Sequence, residues 1–187
     1  MSNFHGLHKR RNYFEGFYFK QQGKDGTLAL IPAFHVNSAG RRSASLQVIT
    51  GEGSYFIPFP AAGFSAKKDV LQVRVGKSQF GETGLHLDLA AKGVELRGQL
   101  HFGPLKRPTY DIMGPYCLVP FLQCRHSLFS LYHRVDGEVV LNGRRMMFDG
   151  GAGYIEGDRG RSFPNSYLWT QCTWQNTCVM LSAADIP

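Results

Sequence analysis

The chain has 187 residues, which suits one sizeable domain with a buried core. Aromatic residues make up 13% of it and there are 22 glycines, a composition that favours strands and tight turns over helices. The net charge of +7 predicts either a solvated basic surface or peripheral contact with an anionic membrane; nucleic acid is not expected as a partner, because the bases are scattered and no nucleic-acid-binding motif accompanies them.

The four cysteines show no C-x-x-C spacing, which argues against a structural zinc site and a thioredoxin-type site. The N-terminus is polar and basic, and no apolar run approaches the roughly 20 residues of a membrane span. We therefore expect a soluble, cytoplasmic protein whose thiols are free and buried.

Residues 1–11 are predicted to be a basic flexible arm, and residues 12–187 one domain. The domain opens with a strand at Tyr13–Lys20, in which Gly16 predicts a bulge or a close backbone approach. Glu15 lies among aromatic rings there, and the pattern leaves open whether it points outward or takes part in a site. The next strands are predicted at Leu28–Val36, Ser43–Thr50, Tyr55–Phe59, Val70–Val75, Leu85–Ala90 and Val94–Phe102.

Regular patterns fade between Gly103 and Gln123, where prolines and glycines predict a long crossing segment. Asn142-Gly143 then stands between two alternating runs, which is the strongest short signal for a hairpin. Asp136-Gly137 and Gly157–Gly160 are predicted to be turns. The strands of this half are predicted at His126–Val135, Glu138–Leu141, Arg144–Phe148, Tyr154–Glu156, Tyr167–Trp174 and Thr177–Ser182.

No window of 11 or more residues has a convincing helical period, so helix should be limited to turns near Pro120–Cys124 or Asn165. About a dozen short strands predict an all-β, antiparallel sandwich or barrel. The chain stops at Pro187, directly after a strand, which predicts that it is part of a longer protein.

The stretch Phe148–Trp174 is the densest in reactive and aromatic side chains. Its 27 residues hold three acids, two arginines, five glycines and six aromatic residues. An ordinary strand does not require acids, cations and rings this close together. We therefore expect the site of function to be here, and the rest of the chain to be its scaffold.

The run Gly153–Gln171 resembles the Y-x-E-x-[DN]-x-G-x-x-F-P…W-x-Q signature of the tocopherol cyclase-like family. Tyr13–Lys20 is similar to its Y-x-E-G-W-Y-F-K opening, and Met113–His133 with Gly137–Gly151 is similar to its central segment. The resemblance covers residues 12–182. It implies a lipocalin-like β-barrel, usually one of two in tandem, and a relation to carotenoid 1,2-hydratases. The chain departs from the family at Arg159, where a tryptophan is usual.

The resemblance also implies a reaction, the addition of an O–H bond across a prenyl double bond in an isoprenoid lipid or prenyl-quinol. No electrons are transferred, so no cofactor and no metal are expected. The hard step is protonation of the alkene, which requires an acid that stays protonated near neutral pH in a dry site. Burial among apolar groups disfavours the ionised form of a carboxyl group, and aromatic faces stabilise the carbocation.

Glu156 matches the acid of the family motif and is the predicted proton donor. Tyr154 is two residues away, so on a strand its hydroxyl group would share a face with the Glu156 carboxyl group and orient it. Asp158 would lie on that face too if the strand continued. Two alternatives stay open: Glu156 forms an ion pair with Arg159 or Arg161, or Asp158 is only a turn residue.

The predicted substrate-binding residues are aromatic, with one histidine: Phe163, Tyr167, Trp169, Trp174 and His126. The aromatic residues would line a pocket, or they are simply core. His126 and His133 are seven residues apart, so strand alternation places them on opposite faces and not in one metal site. Two other functions remain possible: a lipocalin-like protein that binds a hydrophobic ligand without catalysis, or a structural domain whose interior is filled by side chains.

Overall fold

The computed structural model describes residues 4–91, 93–120, 122–174 and 177–185. These residues form an all-β, antiparallel structure, as predicted. The strands are β1 (Tyr13–Gly23), β2 (Gly26–Val36), β3 (Arg42–Thr50), β4 (Gly53–Pro60), β5 (Phe64–Ala66), β6 (Gln72–Val75), β7 (Ser78–Gly81), β8 (Gly84–Ala91), β9 (Val94–Phe102), β10 (Cys124–Leu141), β11 (Arg144–Met147), β12 (Gly151–Gly160), β13 (Tyr167–Trp174) and β14 (Thr177–Ala184). Short 3-10 segments lie at Gly6–His8, Ala61–Gly63 and Gly114–Leu118.

Twelve strands form one sheet in the order β4-β3-β2-β1-β12-β10-β9-β8-β7-β6-β5, with β11 paired to β10. Strands β13 and β14 form a separate hairpin. The long sheet curls, so that side chains of strands far apart in the sheet order contact each other. The rings of Phe19 in β1 and Phe80 in β7 are 5.5 Å apart between their centres, and those of Phe34 in β2 and Phe64 in β5 are 5.4 Å apart. Its two end strands are not paired with each other within the described ranges, so the closed barrel of the prediction is not found.

Strand β1 shows how the sequence divides between the two faces of this sheet. Its alternate residues Phe17, Phe19 and Gln21 are buried on the concave face. The residues between them, Tyr18 and Lys20, point to the outer face, where they contact the β13–β14 hairpin. Burial of each large apolar side chain on the concave face contributes about 1.5–3 kcal/mol, so this alternation sets which residues face the core.

Two predicted turns are wrong. Asp136-Gly137 lies inside β10, which runs without interruption for 18 residues. Gly157–Gly160 lies inside β12, which continues to Gly160. Strand β12 is paired with β1 on one side and β10 on the other, and these two ladders override the local turn preference of the glycines. Gly157 is instead a point of close approach, since a side chain there would press against the Phe129 ring and the Gly16 carbonyl.

The Asn142-Gly143 hairpin is confirmed. Both residues have positive φ, 50° and 81°, which the type I′ turn requires. The crossing segment between Gly103 and Gln123 is confirmed in its described part, which contributes one isolated bridge from Lys106 to Tyr132 and the 3-10 segment at Gly114–Leu118. The short strands β5 and β7 were not predicted.

Part of the predicted flexible arm packs against the sheet. Phe4 is 5% exposed, and its ring contacts those of Phe34 and Phe64. The Arg42 guanidinium group donates to the carbonyl groups of Leu7 and Lys9, each at 3.0 Å. Residues 4–9 therefore cover one end of the curled sheet.

All four cysteines are free, as predicted, but only in part buried. Cys172 is exposed, whereas Cys117, Cys124 and Cys178 are half-buried. No helix in the described part of the chain is long and apolar enough to cross a membrane.

Candidate functional site

The motif acids lie on the outer face of the curled sheet, beneath the β13–β14 hairpin, and not in its concave interior. In the register of β1 and β12, Glu156 lies opposite Tyr18, whose side chain contacts the hairpin. In the register of β10 and β12, Asp158 lies opposite His126. Since residues two apart share a face, Tyr154, Glu156 and Asp158 form one row on this side.

Three hydrogen-bonding groups converge on one oxygen of Glu156, a side chain that is 6% exposed. The Tyr154 hydroxyl group donates to Oε2 at 2.6 Å, and the Trp169 indole Nε1 donates to it at 3.1 Å. His126 Nε2 lies 2.7 Å from the same oxygen. Indole nitrogen can only donate, so this oxygen is an acceptor. The arrangement fixes the orientation of the Glu156 carboxyl group and occupies Oε2 as an acceptor.

His126 pairs with the Glu156 carboxyl group. Burial by itself lowers the pKa of His126. The hydrogen bond to Glu156 and the charges of Glu156 and Asp158 more than offset burial, so the pKa is raised from its usual value. The two carboxyl groups therefore favour the protonated form of His126.

Asp158 is the acid whose protonation changes near neutral pH. Its pKa is raised to about 6, first by burial, then by the charge of Glu156, against the opposing charge of His126. The Cys124 thiol group lies 3.7 Å from Oδ1, and burial raises the pKa of this thiol to about 12, so it stays a neutral and weak donor. A carboxyl group with such a pKa exchanges its proton in the pH range that general acid catalysis requires.

Aromatic rings enclose the acids from the hairpin side. The Trp169 ring stands edge-on to Tyr18 at 5.6 Å and tilted to Tyr154 at 6.4 Å between ring centres. Burial, followed by the charge of Glu156, raises the pKa of Tyr18 to about 12, so this phenol stays neutral. These rings make the enclosure apolar. Farther along the same face, Lys20 Nζ donates to Gln171 Oε1 at 2.6 Å.

His126, Glu156 and Asp158 also have the composition of a metal site. Their ligand atoms all lie within 4.8 Å of one another. A divalent cation there would have to replace the bond between His126 and Glu156 and compete with the two other donors on the same oxygen. The hydrogen bonds accordingly fit a proton-transfer site better than a metal site.

Arg159 points away from the acids. Successive residues of β12 point to opposite faces, so Arg159 lies on the concave side when Asp158 lies on the outer side. There its guanidinium group donates to Ser127 Oγ at 3.0 Å. In the described part of the chain the ion-pair partner of Glu156 is His126. The predicted alternative of an arginine pair for Glu156 is thus not found.

The concave side holds a pocket of about 870 Å³ at the end of the sheet where β1 begins and β12 ends. Its lining includes the aromatic residues Phe17 and Phe129 and the charged residues Glu15, Arg125 and Arg159. Asp158 is also among its lining residues, next to Gly16 and Gly157, which have no side chains. The pocket and the acid cluster therefore lie on the two sides of one thin region of the sheet.

The structure brings together five of the predicted site residues: Tyr154, Glu156, Asp158, Trp169 and His126. The other three lie elsewhere. Phe163 stacks on Phe14 at 4.7 Å, while Tyr167 and Trp174 are 61% and 71% exposed on the hairpin.

The two histidines lie on opposite faces, as predicted. His133 is fully buried on the concave side, where its Nδ1 bonds to Ser130 Oγ at 3.0 Å. Burial lowers its pKa to about 4, so it is neutral.

Two residues of the site were not predicted, Tyr18 and Cys124. Tyr18 belongs to the aromatic run Tyr13–Lys20. The sequence shows that residues of this run alternate between two faces, but it does not show that the strand pairs with β12. Cys124 opens β10, and the sequence contains no local sign that it meets Asp158.

No protein-family model matches the chain, and no curated protein is significantly similar to it.

Proposed function

We propose that the chain catalyses the addition of an O–H bond across a prenyl double bond of an isoprenoid lipid or prenyl-quinol, as the resemblance to the tocopherol cyclase-like family implied. The observation that carries the proposal is the cluster of Glu156, His126 and Asp158 beneath Trp169. It supplies an acid whose pKa is near neutral beside aromatic faces, which is what protonation of an alkene requires.

The geometry favours Asp158 as the proton donor in place of Glu156. The Glu156 oxygen that faces the cluster already accepts from Tyr154, Trp169 and His126, so Glu156 has a positioning role. Asp158 is half-buried, and its raised pKa keeps part of the population protonated at neutral pH.

In the proposed step, the Asp158 carboxyl group transfers its proton to one carbon of the double bond, and the other carbon becomes a tertiary carbocation. The hydroxyl oxygen of the substrate, or of water, forms a bond to this carbon. The proton that it loses returns to the Asp158 carboxylate. Atoms and charge balance, and nothing is oxidised or reduced. The rings of Tyr18, Tyr154 and Trp169 would stabilise the cation through their electron-rich faces.

A second function is supported by a different observation. The pocket of about 870 Å³ is in the range of sites for drug-sized ligands and has Phe17 and Phe129 in its apolar wall. Under this alternative the chain binds a hydrophobic ligand and catalyses nothing. In both cases the ligand is a membrane lipid or resembles one, and the net charge of +7 favours peripheral contact with an anionic bilayer.

The test is the conversion of a prenyl-quinol to its chromanol, followed by liquid chromatography and mass spectrometry. We expect Asp158→Asn to lower kcat by about 10²–10⁴-fold, the usual contribution of a general acid. Asp88→Asn is the matched control, because Asp88 pairs with the exposed Lys77 on the surface.

The proton-donor role is wrong if Asp158→Asn turns over at the wild-type rate. If the folded wild-type protein retains prenyl-quinol without cyclising or hydrating it, the binding function replaces the enzymatic one.

A further inference from the structure

Two arginines are placed directly opposite each other on the concave face. Arg125 of β10 and Arg159 of β12 are register partners, so their side chains leave the sheet side by side. Like charges in this position are destabilising unless something neutralises them. Both residues line the concave pocket. This pair is separate from the acid cluster on the outer face.

The described residues neutralise this pair only in part. Arg125 Nη2 is 3.7 Å from Asp111 Oδ2, which is too long for a hydrogen bond. Arg159 donates once, to the neutral Ser127 hydroxyl group, and within the described ranges no carboxylate oxygen lies within 4.0 Å of it. By contrast, Arg107 on the same pocket binds Glu82 at 2.7 Å. A guanidinium group has five N–H donors, so most donors of the pair remain for a ligand.

Glu15 does not fill this role, although it lies opposite Arg159 in the register of β1 and β12. Its Oε2 accepts from the Tyr13 hydroxyl group at 2.8 Å and from the backbone N–H of His5 at 2.9 Å. Its Oε1 lies 3.0 Å from His5 Nδ1. Both carboxylate oxygens of Glu15 are therefore occupied by contacts with Tyr13 and with His5 of the N-terminal segment.

The rest of the pocket defines the shape and charge of the ligand. Phe17 and Phe129 offer an apolar wall beside the two arginines, so a complementary ligand has one polar end and one apolar body. The acids Glu15, Asp69, Glu82, Asp111 and Asp158 also line the pocket, and their negative charge disfavours a polyanion. A single planar oxyanion matches the guanidinium geometry best, because arginine binds a carboxylate through two parallel hydrogen bonds.

We propose that Arg125 and Arg159 form a head-group subsite for the carboxylate of a lipid acid, whose hydrocarbon tail lies against Phe17 and Phe129. This site is independent of the chemistry proposed for Asp158, since it selects a ligand by its charged end. It also gives a role to Arg159, the residue at which the chain departs from the family motif that it resembles.

The experiment compares a fluorescent eighteen-carbon polyene fatty acid with its methyl ester, which keeps the tail and removes the charge. We expect the wild-type protein to bind the acid at least about tenfold more tightly than the ester, because hydrogen bonds between charged groups are the strong ones. Arg159→Gln should remove most of this difference by weakening the acid and leaving the ester unchanged. Arg125→Gln should act in the same direction.

Arg97→Gln is the control, because Arg97 is 65% exposed, lies on β9 and pairs with Glu95 at 3.0 Å. It should leave both affinities unchanged. The inference is overturned if the wild-type protein binds acid and ester equally, if it binds neither, or if Arg159→Gln changes the two affinities alike. Tight binding of the acid without turnover of prenyl-quinols would support this subsite and overturn the enzymatic function, so the two proposals fail separately.

Discussion

Among the described residues, two buried glutamates occur in the same local pattern, one on each face of the sheet. Glu15 follows Tyr13 by two residues, as Glu156 follows Tyr154, and in both pairs the tyrosine hydroxyl group donates to the carboxylate, at 2.8 and 2.6 Å. Each carboxylate also contacts a histidine: His5 at 3.0 Å for Glu15, and a β10 histidine at 2.7 Å for Glu156.

The two sites differ in what stands beside the carboxylate. Glu156 has a second acid, Asp158, and the Trp169 indole group next to it. Glu15 has the backbone N–H of His5, in the segment whose Phe4 is buried against β2 and β5. The same Tyr-x-Glu pattern thus holds a chain segment in place on one face, and on the other it fixes a histidine beside an acid with a raised pKa. The neighbours, and not the pattern, decide the role.

The largest expected effect separates the two glutamates by activity. Glu156→Gln removes a negative charge that holds His126 in place and helps to raise the pKa of Asp158. Less of the Asp158 carboxyl group would then carry a proton, so we expect kcat for the prenyl-quinol to fall by about 100-fold or more. Glu15→Gln should stay within about threefold of the wild type, because Glu15 contacts neither Asp158 nor its aromatic wall. Steady-state kinetics of both variants measure this, and equal losses in the two would contradict the division of roles.

The second expected effect concerns the role of Glu15 in the stability of the fold. Glu15→Ala leaves the Tyr13 hydroxyl group and the His5 N–H without their acceptor, so we expect the free energy of unfolding to fall by about 2–4 kcal/mol. The loss should be accompanied by faster amide exchange in residues 4–9, which urea titration and hydrogen exchange would detect together. Leu7→Ala, at a 53% exposed position in the same segment, is the control. Unchanged exchange in the segment would show that Glu15 does not hold it.

Much of the fold could be predicted from the sequence because strand alternation and the Asn142-Gly143 turn are local signals. The turn at Gly157–Gly160 was wrong for a tertiary reason, since pairing of β12 on both edges outweighs the preference of single glycines. Had the strand been continued, alternation alone would have placed Asp158 with Glu156 and Arg159 on the other side.

The site was predicted where it depends on spacing of two residues, as for Tyr154 and Glu156. It was not predictable where it depends on which strands pair. Tyr18 and Cys124 reach the acids only because β1 and β10 flank β12. For the same reason, the sequence does not show that the acids lie on the outer face, or that Trp174 is on the exposed side of its hairpin.

The central claim is that Asp158 holds a proton near neutral pH in the cluster that Glu156 organises. The most direct measurement is the carbon-13 titration of the aspartate carboxyl groups by NMR, with the Asp158 signal assigned by its loss in Asp158→Asn. We predict a midpoint at about 6 for Asp158. A raised pKa means that the acid form is lost as pH rises through this midpoint, so turnover should decline above it. A midpoint at or below its usual value near 3.8 would contradict the account, because Asp158 would then have no proton to give.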